Sequence, residues 1–188
     1  MNWDDFITIN SIAKTYHKVA IDKLNIYNTS CTDFQLSAIE FMSKPKSLIL
    51  QGDPGRGKTF FMLTLIKELF KTKNRPLHEV RFINASDLDE KVSDEIKKFN
   101  TASYYLNTLI DVPFLFLDDF GVEGSREKAE RNYYTILDKR LANYRPTVIS
   151  TNLTDTEILK TFGSRIDSRL KQCVKLVFEN EDLRKPDD

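Results

Sequence analysis

Apolar and polar residues fall in blocks along this chain, and the period inside the blocks switches between helical and extended. From Ser11 to Asn25, Ile12, Tyr16, Val19, Ala20 and Leu24 recur at helical spacing. Asp33–Met42 carries a second helical pattern, which Lys44-Pro45 ends. A short apolar strand follows over Ser47–Gln51, then a glycine-rich loop, then a strongly apolar helix opening at Lys58 and running to Lys71. His78–Asn84 reads as a strand, and Ser86 as the N-cap of a polar helix over Asp87–Phe99. A short helix, Ala102–Ile110, leads to Val112–Asp119 (VPFLFLDD). That run is apolar on both faces, as a strand inside a parallel sheet must be, and it ends in two acids. Arg126–Asn143 is helical, with Ala129, Tyr133, Ile136, Leu137 and Leu141 on one side. Pro146–Thr151 is a strand, Thr154–Thr161 and Gly163–Leu170 are short helices, and Val174–Phe178 is a last strand. Strands and helices alternate throughout, which predicts an α/β fold around a central parallel sheet. At 188 residues the chain is expected to form one domain with a polar C-terminal tail.

Composition sharpens the class without changing it. Hydrophobic residues make up 40% and charged residues 30%, as in soluble globular proteins. No apolar run approaches the roughly 18–20 residues that span a bilayer, and the acidic opening MNWDDFITIN lacks a signal-peptide pattern, so a cytoplasmic protein is expected. Cys31 and Cys173 stand far apart with no Cys/His cluster around them, and both read as reduced structural thiols. A net charge of zero excludes a polycation that coats nucleic acid. Locally, Arg56–Arg81 holds seven basic residues against two acidic, a surface that could meet phosphate or simply a solvated helix face.

The chemistry concentrates in three places. Gly52-Asp53-Pro54-Gly55-Arg56-Gly57-Lys58-Thr59 is a full P-loop signature, placed between a strand and a helix as that motif requires. Backbone N–H groups must approach phosphate oxygens closely, so the turn needs glycines, and the helix that opens behind it faces the phosphates with its positive end. The expected nucleotide contacts run from Gly52 to Phe60, with Lys58 on the β- and γ-phosphates and the Thr59 hydroxyl on Mg²⁺. Asp118 is placed to hold the Mg²⁺ shell, and Asp119 to orient or deprotonate an attacking water. Asn152 follows an apolar strand, and in a sheet where that strand lies between the two others it would point toward the γ-phosphate. Arg165 and Arg169, four apart in FGSRIDSRL, share one helix face, and guanidinium suits charge developing on a transferring phosphoryl group. With no lid-forming helical domain after them, they would serve a neighbouring subunit's nucleotide, whereas Arg184 could reach its own.

The order GDPGRGKT, FLFLDDFGVE, RPTVISTNL, FGSRIDSRL and FENEDLR resembles the AAA+ module of the DnaC/DnaI family of bacterial helicase loaders, which includes the IstB transposition ATPases. The resemblance covers roughly residues 28–185. It implies a P-loop NTPase of the AAA+ (ASCE) type: a three-layer α/β sandwich with a five-stranded parallel sheet and no C-terminal helical lid. It makes Asp118-Asp119 the Walker B pair, Asn152 sensor 1, Arg169 an arginine finger acting across a subunit interface, and Arg184 a sensor 2-like residue. Asp119, Asn152 and Arg169 are then the catalytic set, Thr59 and Asp118 the Mg²⁺ ligands, and ATP with Mg²⁺ the cofactors. Asn84–Ile110 matches an insertion that faces single-stranded DNA. It is net acidic here, and Phe99, Tyr104 and Tyr105 could stack on bases or pack in the core, so weak single-stranded DNA binding is implied. The implied partner is a hexameric replicative helicase, with ATP-driven self-assembly, slow hydrolysis and no membrane; a transposase is the alternative partner, and a nucleotide-gated adaptor with little hydrolysis the alternative activity. Residues 1–27 are expected to form a short helical, partner-binding segment, and 186–188 a tail.

Overall fold

A computed structural model describes residues 3–10, 12, 40–72, 76–99, 103–121 and 126–179. The sequence-predicted helix over Ser11–Asn25 and most of that over Asp33–Met42 lie outside these residues, though residues 40–43 are helical. The described elements are α1 (Trp3–Ile9), β1 (Leu48–Gln51), α2 (Lys58–Thr72), β2 (Val80–Asn84), α3 (Ala85–Phe99), α4 (Ser103–Asp111), β3 (Phe114–Phe120), α5 (Arg126–Ala142), β4 (Thr147–Thr151), α6 (Asp155–Leu170) and β5 (Val174–Val177). A 3₁₀ turn, Leu77–Glu79, leads into β2.

All five strands are parallel, in the order β2-β3-β4-β1-β5. β4 thus separates the strand that feeds the glycine loop from the strand that ends in the two acids, the placement on which the reading of Asn152 depends. Alternation along each strand divides the core into two layers. Leu48, Leu50, Phe114, Phe116 and Val148 face α1 and α2, while Ile49, Leu115, Leu117 and Ile149 face α3–α6. That two-sided burial is why β1, β3 and β4 read as continuous apolar runs.

Four local findings refine the sequence reading. Trp3–Ile9 forms helix α1, which buries Phe6 and Ile7 in the core; Asn10 then donates to the Phe6 carbonyl and accepts from Phe82 N at 2.9 Å, satisfying one donor of β2. Asn84, not Ser86, caps α3: its Oδ1 accepts from Ser86 N at 3.0 Å and from Ser86 Oγ at 2.8 Å. Two cap-forming residues stand two apart there, and the one that ends the strand has the extended backbone a cap needs. The two predicted C-terminal helices together make up α6 and meet at Gly163, whose backbone (φ 73°, ψ 175°) is non-helical and open to glycine. Thr154 and Glu157 close its N-terminus as a reciprocal capping box. Fourth, Arg140 is fully buried between α4, α5 and the starts of β3 and β4.

Cys173 is a buried free thiol whose pKa burial pushes up to about 12, an inert position; Cys31 lies outside the described residues. Among the described residues no helix is long and apolar enough to cross a membrane.

Candidate functional site

The carboxyl ends of β1, β3 and β4 meet at one edge of the sheet, and the polar residues that break their apolar runs meet there too. β1 ends at Gln51 and the chain turns through Gly52, Asp53, Pro54, Gly55, Arg56 and Gly57 into α2. Gly52 (φ 151°), Gly55 (φ 83°) and Gly57 (φ 92°) all occupy positive φ. A Cβ on Gly52 would also collide with the carbonyl oxygen of Phe178. Gly52→Ala is therefore expected to lower stability by about 1–3 kcal/mol, through φ strain and steric conflict, and to weaken nucleotide binding with it. Urea unfolding with and without ATP checks both. An unchanged unfolding midpoint would contradict this geometry.

Lys58 begins α2 with its side chain buried. Its Nζ donates to the carbonyls of Gly52 (2.5 Å) and Asp53 (2.8 Å) and to Asn152 Oδ1 (2.7 Å), so one ammonium ties the loop to the end of β4. Arg56 extends the loop's contacts, donating to Asp53 Oδ2 at 3.3 Å and to the Glu179 carbonyl at 3.4 Å. Phe60, one position past Thr59, packs against the α1–α2 core layer.

Next to Lys58, the Thr59 hydroxyl donates to Asp118 Oδ2 at 2.9 Å and Oδ1 at 3.1 Å. Asp118 is itself buried, and Ser150 Oγ donates to its Oδ1 at 2.5 Å while accepting from Asp119 N at 2.9 Å. The register of β3 against β4 slips between Leu117 and Phe120, and Asp119 stands at φ 56° in that bulge. A bulge re-aims side chains at a strand end, and positive φ in a residue with a Cβ is strain that the surrounding bonds must hold.

Burial pushes the Asp118 carboxyl above the ordinary range, and the neighbouring Asp119 carboxylate adds to the rise; the hydroxyls of Ser150 and Thr59 pull the other way. An acid raised on folding keeps its proton longer in the native than in the unfolded chain. Stability therefore falls as pH rises from the unfolded carboxylate range through the folded pKa, and above that the buried charge remains a cost. Asp118→Asn is expected to raise the unfolding midpoint at pH 8, with the gain shrinking as pH is lowered through this window. A lower midpoint at pH 8 would refute the expectation.

Thr59 and Asp118 supply hard oxygen donors side by side, the chemistry Mg²⁺ takes at phosphate sites, and the positive-φ glycines leave the loop open to close backbone approach by phosphate. The residues present fit a Mg²⁺–nucleotide.

Asp118, Asp119, Asn152, Lys58 and Thr59 are thus brought together. Arg169 is not. It lies near the end of α6, just before β5, whose first residue donates from Val174 N to the Ser47 carbonyl at the start of β1. The glycine loop leaves the other end of β1, about 13 Å away for four residues of strand. Arg184 lies outside the described residues. Two contributors went unassigned in the sequence. Ser150 orders both acids, and its signal was a polar residue, now fully buried, inside the apolar run of β4. Gln51 Nε2 donates to the Leu153 carbonyl (2.7 Å) and to Asp155 Oδ1 (3.1 Å), bracing the loop strand against the start of α6.

A family model described as IstB-like ATP binding protein matches residues 16–186. The chain belongs to the IstB-like ATP-binding protein family. Among curated relatives, the replicative helicase loader DnaC of Escherichia coli (strain K12) is 28% identical over 133 residues, covering 70% of this chain and 53% of DnaC. The replicative helicase loader DnaI of Bacillus subtilis (strain 168) is 28% identical over 134 residues, covering 70% of this chain and 40% of DnaI. This family member therefore spans about half the length of the curated relatives it matches, or less. A crystal structure of the DnaC helicase loader superposes with a TM-score of 0.74 at 23% identity, covering 89% of this chain and all of that one. A crystal structure of DnaI gives 0.73 at 19% identity, covering 88% and 94%. The fold is that of a P-loop NTPase of the AAA+ type, as the sequence predicted.

Proposed function

We propose that this chain is a Mg²⁺-dependent ATPase that recruits or loads a hexameric replicative DNA helicase. The observation that carries the nucleotide reading is the pairing of the Thr59 hydroxyl with the buried Asp118 carboxylate at 2.9 Å, beside an ammonium held at the mouth of the glycine loop. The loader reading is supported by the names of the relatives, DnaC and DnaI.

In this account the loop amides and the N-terminus of α2 bind the phosphates. Lys58 exchanges its carbonyl and Asn152 partners for β- and γ-oxygens, and Thr59 with Asp118 holds Mg²⁺. Bound Mg²⁺ neutralises phosphate charge and fixes the chain of phosphates for in-line attack. Asp119 orients the attacking water or takes its proton, and Asn152, released by Lys58, reads the γ-phosphate. Aspartate is one methylene shorter than glutamate at this position, which favours slow turnover. ATP drives assembly only because it binds the assembled state more tightly than the free subunit. Arg169 completes a neighbour's site, and Arg184 contacts its own nucleotide. Residues 28–185 act as the ATPase module in the cytoplasm. Residues 1–27 offer a partner surface, of which the exposed Ile9, Asp4 and Asp5 side of α1 is a part. Single-stranded DNA meets the α3–α4 corner weakly.

Size-exclusion of the chain mixed with the replicative helicase of the same cell, with and without ATP·Mg²⁺, tests the proposal. Co-elution is expected, strengthened by nucleotide. Absence of co-elution in both states would overturn the loader reading and make a transposase the partner to test next.

A further inference from the structure

We propose that Asp138 and Tyr134, on α5, form a socket that presents the Arg169 guanidinium to a phosphate held by a second copy of this chain. This rests on the reading above that assembled subunits share their nucleotide sites.

Arg169 is not a freely rotating surface arginine. Its Nε and Nη2 donate to the same oxygen of Asp138, at 2.8 and 2.5 Å, a side-on pair that fixes the guanidinium plane. Nη2 also approaches the Tyr134 hydroxyl at 3.4 Å, and the guanidinium carbon lies 5.5 Å from the Tyr134 ring centroid. Tyr134 and Asp138 stand four apart, on one face of α5. One edge of the guanidinium is thus committed to the socket. On the other, Nη1 makes only a long 3.3 Å contact to the hydroxyl of its neighbour Ser168, which a phosphate oxygen would readily replace. The side chain keeps 28% of its surface exposed, so the socket does not enclose it.

Position decides whose phosphate it meets. Arg169 sits toward the starts of β1 and β5, whereas its own glycine loop leaves the far end of β1. A planar donor fixed in advance loses less rotamer freedom when it engages, which is what positioning contributes to a charged transition state. An ordinary exposed ion pair would matter little to stability and not at all to turnover.

The test uses the full chain. Asp138→Ala is expected to leave the unfolding midpoint and the monomer's affinity for ATP unchanged, and to lower assembly turnover about tenfold through kcat. Asp138→Asn keeps an acceptor oxygen and should retain more turnover than Asp138→Ala. Subunits carrying Asp119→Asn bind ATP without hydrolysing it and can only donate an arginine, while Arg169→Ala subunits can only receive one. Mixing the two should restore turnover, and adding Asp138→Ala to the donor should cut the restored turnover about tenfold. Full restoration by the Asp119→Asn/Asp138→Ala donor, or a rise in turnover from Asp138→Ala alone, would overturn the socket. Failure of the Asp119→Asn donor itself to restore turnover would instead overturn the shared-site reading beneath it.

Discussion

Replacing Lys58 with alanine is expected to lower affinity for ATP·Mg²⁺ by a hundredfold or more, equivalent to about 3 kcal/mol. The magnitude follows from what the ammonium does. It is buried, and three oxygens already surround it, so the site has desolvated a positive charge before any ligand arrives. A triphosphate repays that desolvation with charge-assisted bonds to an ammonium already held at the mouth of the loop. Lys58→Arg should fail as well, because a planar fork longer than the ammonium does not fit the space between the Gly52 carbonyl and Asn152. Equilibrium binding of a fluorescent ATP analogue to the variants measures this. A loss smaller than about threefold in Lys58→Ala would remove the loop from the account.

The second large effect concerns stability. Arg140 Nη1 donates to the carbonyls of Leu109 (2.7 Å), Ile110 (3.0 Å) and Val112 (2.7 Å), its Nη2 to those of Pro113 (3.3 Å) and Pro146 (2.7 Å), and its Nε to Thr147 Oγ1 (2.8 Å). The guanidinium thus satisfies the carbonyl end of α4 and the leads into β3 and β4. Cations at helix C-termini are favoured by the dipole, and buried carbonyls without partners are costly. Desolvation lowers its pKa to about 9, still on the charged side of neutral pH. Arg140→Ala strands these acceptors and leaves a cavity, so a loss of about 4 kcal/mol is expected, a large share of the total stability of a domain. Arg140→Lys supplies three donors in place of the fork and should lose roughly half as much. Urea denaturation gives both values, and a loss below about 1 kcal/mol for Arg140→Ala would contradict the role.

Arg140 also shows where the sequence was legible and where it was not. It lies seven residues past Tyr133, on the same stripe as Ile136 and Leu137, yet a charged residue near a helix end reads as solvated unless the carbonyls it faces are known. The glycine loop was readable because backbone approach to phosphate admits few residue types. β3 was readable because burial on both faces removes polar residues from a whole run. The bulge at Asp119 was not, since register belongs to two strands and only one is read at a time. Ser150 carries no visible role within its strand for the same reason: its partners, Asp118 and Asp119 N, are 32 and 31 residues away in sequence. Helix α1 is only seven residues long, too short for its period to stand out. Arg169 was found by motif, but Asp138 and Tyr134, which hold it, carry no motif of their own.

These pieces give one physical picture. Gln51 braces the loop strand against the head of α6, Lys58 ties the loop to Asn152, and Ser150 ties both acids to β4. The groups that would meet the nucleotide are therefore fixed to the same three strands before it binds, which lowers the ordering cost of binding.

Calorimetric titration of ATP into the chain, in the presence of Mg²⁺ and again in excess chelator, tests the central claim most directly. One nucleotide per chain, bound markedly more tightly with Mg²⁺, and losing that Mg²⁺ dependence in Asp118→Asn, is the predicted result. No binding, or an affinity indifferent to Mg²⁺ in the unaltered chain, would contradict the assignment of Thr59 and Asp118 and the function built on it.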